Sequence, residues 1–201
     1  ELKNIHKMLS KFQKNIFLIT APSGAGKTSL IKNILKYANI REKKIFLSIS
    51  DTTRAPRQGE LNNIDYCFID KLKFKENIKD GKYIEHAEVH GNFYGTPKAN
   101  IEQHLEDGYK VILEIDWQGA LTILKYYPDA QSIFISPPSL EDLSKRLTKR
   151  GLDSKEVILK RIKGAELELK QKDHFKFQIV NNLLDTATEN LINIIFKGNN
   201  G

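Results

Sequence analysis

Asn15-Ile-Phe-Leu-Ile-Thr20 runs directly into Ala21-Pro-Ser-Gly-Ala-Gly-Lys-Thr28, and the join between the two sets the architecture. The first run is short, β-branched and aromatic, which marks a buried strand. Pro22, Gly24 and Gly26 break it, and from Lys27 the apolar residues Leu30, Ile31, Ile34 and Leu35 recur at helical spacing. Strand, glycine-rich turn and helix together make the context of a phosphate-binding loop. Successive backbone N–H groups and the positive end of the helix surround an anion there. Lys27 adds a point charge, and the Thr28 hydroxyl can ligate Mg²⁺. The glycines allow backbone angles and a close approach that a Cβ would forbid. The general pattern opens with glycine where this chain has Ala21, a position that tolerates alanine only at negative φ. The loop alone does not choose among GTPases, ATPases and kinases, although no Asn-Lys-x-Asp guanine motif of the GTPases is present.

Outward from this unit, strands and helices alternate. Ile45–Ile49, Val111–Ile115, Ser132–Ile135 and Gln178–Val180 read as further core strands. Asp65–Ile69 and Tyr83–His90 read as strands with mixed faces, and Ser50–Glu60 and Gly91–Pro97 as loops. Helices are expected at Phe74–Lys79, Ala99–Asp107, Gln118–Lys125, Ser139–Arg150, Ser154–Lys172 and Thr186–Phe196, with Asp153 and Glu156 at capping-box spacing before the fifth of these. Alternation of this kind predicts an α/β fold on a parallel sheet with right-handed crossovers.

The bulk numbers agree with that reading. With 201 residues, 40% of them hydrophobic, the chain can build one core with smaller appendages but not two comfortable independent domains. Its net charge of +7 suits polyanions or phosphorylated ligands, and equally a solvated lysine-rich surface. Cys67 is the only cysteine, so an intrachain disulfide and a cysteine-built zinc site are both excluded, which suits a reducing cytosol. Residues 1–14 lack the apolar block of a secretory signal. The most apolar runs are far shorter than a membrane span, so a soluble, cytoplasmic protein without a membrane partner is expected. No aromatic–basic interleaving or helix-turn-helix pattern speaks for nucleic acid. His86 and His90 alternate along a strand instead of standing one helical turn apart, and a metal role for them is set aside.

Ser48-Ile-Ser-Asp-Thr-Thr-Arg-Ala-Pro-Arg-Gln-Gly-Glu60 carries the next signal, two arginines bracketing a proline. Proline stiffens the loop, so that two guanidinium forks can meet one phosphate. This run resembles the acceptor-binding signature of the guanylate kinase family. The resemblance continues in order and spacing through Asp65-Tyr66 with Phe68, Tyr83-Ile-Glu85, Gly91-Asn-Phe-Tyr-Gly-Thr96, Leu113-Glu-Ile-Asp-Trp-Gln-Gly119, Pro137-Pro-Ser139, Arg146-Leu-Thr-Lys-Arg-Gly151 and Val180-Asn181. Phe93 stands where the family often has tyrosine.

The resemblance implies a P-loop core of parallel strands flanked by helices (14–50, 105–137 and 176–197). To it are added a small β-rich GMP-binding insertion at 51–104, a helical lid at 138–175 and an N-terminal extension at 1–13. It implies ATP bound by Ala21, Pro22, Ser23, Gly24, Ala25, Gly26, Lys27 and Thr28, with Asn181 near the adenine and Mg²⁺ on Thr28. Arg54, Arg57, Tyr66 and Tyr94 would grip the GMP phosphate, while Ser50, Glu85, Thr96 and Asp116 would read the guanine. A carboxylate such as Glu85 can accept from the paired N1–H and N2–H₂ donors of guanine, which adenine lacks. Asp116 ends a strand as a Walker-B carboxylate would, and serves guanine, Mg²⁺ through water, or both, with guanine favoured. Lys27, Arg54, Arg146, Arg150 and Arg161 would neutralise charge during in-line transfer from ATP, the three lid arginines closing over the phosphates. The acceptor phosphate is already anionic, so no general base is needed. GMP is the expected acceptor, with dGMP a second candidate and a homo-oligomer left open. The competing readings are a kinase for another nucleoside monophosphate and a binding module of the same family without catalysis.

Overall fold

The structure is a computed structural model, which describes residues 11–57, 59–89, 91–151 and 153–198. The expected extension at 1–13 lies outside these residues up to position 10, as does His90. In chain order the elements are β1 (Ile16–Thr20), α1 (Lys27–Ile40), β2 (Ile45–Ser48), β3 (Asp51–Thr52), β4 (Cys67–Phe68), α2 (Lys71–Lys79), β5 (Tyr83–Val89) and β6 (Asn92–Pro97), followed by α3 (Lys98–Glu106), β7 (Lys110–Glu114), α4 (Trp117–Tyr126), β8 (Gln131–Ser136), α5 (Leu140–Arg150), α6 (Lys155–Leu169), β9 (Phe177–Val180) and α7 (Leu184–Ile192). A five-stranded sheet has the order β2-β7-β1-β8-β9, and a four-stranded sheet the order β4-β3-β6-β5. The chain divides into two compact units. One comprises Lys44–Ala130 with the chain up to Leu18, the other Ile19–Lys43 with the chain from Gln131 on.

In the first unit β2 pairs in parallel with β7, Ile45 opposite Lys110 and Ser48 opposite Leu113. Val111, Ile112 and Leu113 are fully buried, whereas Ile45, Phe46 and Leu47 are only half-buried because β2 is an edge strand. The second sheet contains two strands that the sequence reads as loop. Asp51–Thr52 pairs in parallel with Cys67–Phe68 and antiparallel with Tyr94–Gly95, and β5 and β6 form an antiparallel hairpin. On β6, Phe93 and Gly95 face one side, where Phe93 stacks on Phe74 of α2 with ring centroids 5.5 Å apart. Tyr94 and Thr96 face the other. A Cβ on Gly95 would come within 2.9 Å of both Phe74 and Tyr83, so only glycine lets those two rings close beneath the strand.

In the second unit β8 pairs in parallel with β9, Ile133 opposite Phe177 and Ser136 opposite Val180. Helix α1 buries Leu30, Ile31, Ile34 and Ala38, and packs against α7. Helices α5 and α6 pack on each other around a small apolar cluster of Leu143, Leu147, Ile158 and Ala165. Ser139 caps α5, its Oγ accepting from the Asp142 N–H at 3.0 Å. The α6 cap is Ser154, whose Oγ accepts from the Val157 N–H. That corrects the expected Asp153–Glu156 box, since the Asp153 carboxylate is engaged elsewhere.

Candidate functional site

In the second unit the turn from β1 to α1 is shaped by glycine. Ala25 N–H donates to Pro22 O at 3.0 Å, and Gly24 and Gly26 take φ of 91° and 96°. Ala21 is not among the left-handed residues, so alanine is no strain where glycine is usual. Gly26 precedes α1 and provides no side-chain cap to its first turn, an arrangement in which helix N–H groups can meet an anion. The turn is also packed from two sides. A Cβ on Gly26 would sit 2.2 Å from Asn181 Nδ2, and one on Gly24 would sit 2.9 Å from Leu147 Cδ2.

Asn181, 4% exposed, follows β9 and underpins this loop. Its Nδ2 donates to Ala25 O at 2.8 Å, and its own carbonyl accepts from Arg146 Nη2 at 2.8 Å. Arg161 on α6 donates through Nη1 to Ser23 Oγ at 2.7 Å and through Nη2 to Asp153 Oδ1 at 3.1 Å. The other carboxylate oxygen, Asp153 Oδ2, is buried with no hydrogen-bond partner among the described residues. Two of the three arginines expected in a lid are thus brought to the loop or to the residue beneath it. Arg150 is exposed at the end of α5, one turn beyond Arg146.

The first unit gathers Arg54, Tyr66 and Tyr94 into one cluster and Glu85, Thr96 and Asp116 into another. Arg54 lies over the rings of Tyr66 and Phe68, 5.4 and 5.8 Å from their centroids, and Tyr66 meets Tyr94 edge-on at 6.0 Å. Arg54 donates to Glu60 Oε1 at 2.9 Å and to Ala55 O at 2.8 Å, and the Arg57 N–H donates to Glu60 Oε2 at 2.7 Å. Burial opposes ionisation of Glu60, but the bonds from Arg54 and Arg57 outweigh it and hold the carboxyl below its usual range. Burial, with the charge of Glu114, pushes the Tyr66 phenol up to about 12, so it stays a hydrogen-bond donor at neutral pH.

The second cluster centres on Glu85, 9% exposed in β5 opposite Thr96. Thr96 Oγ1 donates to Glu85 Oε1 at 2.5 Å. Asp116 caps α4, its Oδ1 accepting from the Gly119 N–H at 2.8 Å. A Cβ on Gly119 would lie 3.0 Å from Glu85 Oε2 and 3.6 Å from Asp116 Oδ1, so the two carboxylates flank one point above that glycine. Burial, with the charge of Asp116, pushes the Glu85 carboxyl up to about 7, against the opposing pull of the Thr96 bond. Ser50 precedes β3, its carbonyl accepting from the Cys67 N–H at 3.0 Å.

The guanylate kinase family model matches residues 13–198. The guanylate kinase of Shewanella violacea is 48% identical over 181 residues, 90% of this chain and 86% of that protein. That of Hahella chejuensis is 47% identical over 176 residues, 88% of this chain and 83% of that protein. The chain belongs to the guanylate kinase family. The crystal structure of guanylate kinase from Anaplasma phagocytophilum is similar in fold, with a TM-score of 0.73 at 34% identity, covering 92% of this chain and 86% of that one.

Within this guanylate kinase framework three residues matter that sequence reasoning gave no such role. Glu60 was legible only as the last letter of the arginine-loop signature, yet it ties Arg54 and the backbone of Arg57 together. Gly119 makes room for Glu85 beside Asp116. Asp153 holds Arg161 at 3.1 Å, a pairing eight residues apart that no helical spacing announces. Among the described residues no group of three or more His, Cys, Asp or Glu side chains is placed to hold a metal ion, and no helix is long and apolar enough to cross a membrane.

Proposed function

We propose that this chain transfers the γ-phosphate of ATP to GMP, giving ADP and GDP, with the residues just described in the following roles. The observation that carries the guanine assignment is the Glu85 carboxylate, pressed between Thr96 and Gly119 beside Asp116. Ionised, it offers acceptors to the N1–H and N2–H₂ donors of guanine, and adenine would leave it unmatched. Arg54, Arg57, Tyr66 and Tyr94 supply cationic and phenolic donors to the acceptor phosphate, with Ser50 and Asp116 completing the guanine contacts.

The donor phosphates fall to Ala21–Thr28. Backbone N–H groups and Lys27 bind them, Arg146, Arg150 and Arg161 neutralise charge as the phosphoryl group moves, and Asn181 supports the loop from below. The Thr28 hydroxyl is a hard oxygen donor at the exposed start of α1, which fits Mg²⁺. Bound with the nucleotide, the ion would neutralise phosphate charge, and Thr28 would hold it together with phosphate oxygens and water. The nucleophile is an oxygen of the acceptor phosphate, and the arginines and tyrosines orient it in line. A cytoplasmic setting, where both nucleotides are available, belongs to the same proposal.

The test is ADP release with GMP, dGMP, AMP, UMP and dTMP as acceptors. Turnover with GMP is expected to exceed turnover with AMP by several orders of magnitude, and activity on AMP without GMP would end the guanine assignment. Lys27→Ala should lower kcat by about 10²–10³-fold. Nucleotide binding without turnover in the unaltered protein would favour a binding module, against which the left-handed loop glycines and the Arg161–Ser23 contact both speak.

A further inference from the structure

Side chains alternate along a strand, so Tyr83 and Glu85 in β5 should point the same way. They do not. Glu85 is opposite Thr96 and bonds to it, on the face that also carries Tyr94. Tyr83 lies on the other face, stacked on Phe74 of α2 at 4.7 Å and beside His86, with ring centroids 6.4 Å apart. The register shifts between Tyr83, which is opposite Pro97, and Glu85, and this irregularity puts the two residues on opposite faces.

The displaced Tyr83 is anchored. Its hydroxyl donates to Asp51 Oδ2 at 2.6 Å and accepts from Asn77 Nδ2 at 3.1 Å. Asn77 Nδ2 also reaches Asp51 Oδ2 at 3.4 Å, and the Cys67 thiol lies beside the same carboxylate, where burial and that charge push it up. Asp51, Asn77 and Tyr83 are all buried, and Asp51 lies opposite Gly95 and Cys67 in the central strand β3. A buried carboxylate with donors from α2 and β5 is specific in geometry and costly to disturb.

We propose that Tyr83 and Asp51 are positioning residues for guanine discrimination: their hydrogen bond on the helix side of the sheet pins the irregularity that delivers Glu85 to the opposite side. This rests on the reading of Glu85 as the guanine acceptor. Loss of the Tyr83 hydroxyl frees β5 to regain regular alternation and blurs the placement of the carboxylate. The arginine cluster and the phosphate loop stay as they are, so the effect falls on recognition of the base and not on phosphoryl transfer.

The experiment compares kcat and KM for GMP and for inosine monophosphate, which lacks the 2-amino group, in the parent chain, Tyr83→Phe, Asp51→Asn, Glu85→Gln and the Tyr83→Phe/Glu85→Gln double variant. Thermal unfolding of each accompanies the kinetics. Tyr83→Phe keeps the ring on Phe74 and should raise the GMP KM about tenfold with kcat within about twofold, and lower the ratio of kcat/KM for GMP over inosine monophosphate by a similar factor. Asp51→Asn keeps an oxygen for the tyrosine hydroxyl and should hold that ratio within about threefold. The double variant should show a ratio no lower than Glu85→Gln alone, because both changes act through one carboxylate. An unchanged ratio in Tyr83→Phe, or an equal fall in kcat for both acceptors, overturns the proposal while leaving the Glu85 assignment intact. An unchanged ratio in Glu85→Gln removes that assignment and this proposal together.

Discussion

Arg161 and Ser23, 138 positions apart, are joined by a 2.7 Å hydrogen bond from Nη1 to Oγ, so helix α6 touches the β1–α1 loop directly. The same guanidinium spans to Asp153 with its other arm. Lysine, whose donors all sit on one nitrogen at the end of a flexible stem, lacks the planar fork that reaches the two partners from separate nitrogens. Arg161→Ala and Arg161→Lys should therefore both lower kcat by about 10²-fold, whereas Ser23→Ala should cost only a few-fold. Steady-state ADP release measures this, and near-parental turnover in Arg161→Lys would mean that only charge matters there.

Gly26→Ala probes the loop from the other direction. It forces a Cβ onto a residue at φ 96° and drives it toward Asn181 Nδ2 at 2.2 Å. Backbone strain and overpacking together should cost about 2–5 kcal/mol in denaturant unfolding. Adding Asn181→Ala should recover the overpacking part but not the strain.

A pH dependence follows from Glu85. Its carboxyl, pushed up to about 7 by burial, keeps its proton in the folded protein where the unfolded chain has already lost it near pH 4.5. Stability should therefore fall as pH climbs from about 4.5 to 7, by up to about 3 kcal/mol, and level off above. Glu85→Gln should flatten this profile, gaining on the parent as pH rises. The GMP KM of the parent should drop across the upper part of the same window, as the ionised acceptor forms. Parallel parent and variant profiles would place the titration elsewhere.

Glu60→Ala removes the group that ties Arg54 to the Arg57 backbone, at a site where the two ion-paired side chains are 13% and 19% exposed. Arg54 then loses its fixed orientation over Tyr66, and the GMP KM should rise about three- to tenfold with little change in the KM for ATP. A lower GMP KM would show that Glu60 mainly competes with the acceptor phosphate.

Much of this architecture was open to reading from the chain alone. The β1–loop–α1 unit was legible because apolar period and turn chemistry agree over Asn15–Leu35, and α5 because its Ser139 start and charged face are local. Helix α6 was legible from its charged pattern, but it is capped by Ser154 instead of the expected Asp153–Glu156 box. Strands β3 and β6 were not. Two residues are too few for a period, and the glycines of Gly91–Pro97 read as turn residues although Gly95 is there to admit Phe74 and Tyr83. The arginines and Glu85 came from the family signature, but Glu60 as tether and the Asp51–Tyr83 bond did not. Such bonds depend on where a register shift or a loop carries a side chain in space, and no spacing along the chain encodes that.

Leu143 and Leu147 do more than fill the α5–α6 pair. A Cβ on Gly24 would come within 2.9 Å of Leu147 and 3.0 Å of Leu143, so the β1–α1 turn packs directly against the apolar cluster of the two helices. Whatever quiets that turn should quiet the helices with it. Hydrogen exchange at backbone amides of Leu143, Leu147 and Ile158 should slow when ATP is added, although none of these side chains is proposed to touch the nucleotide.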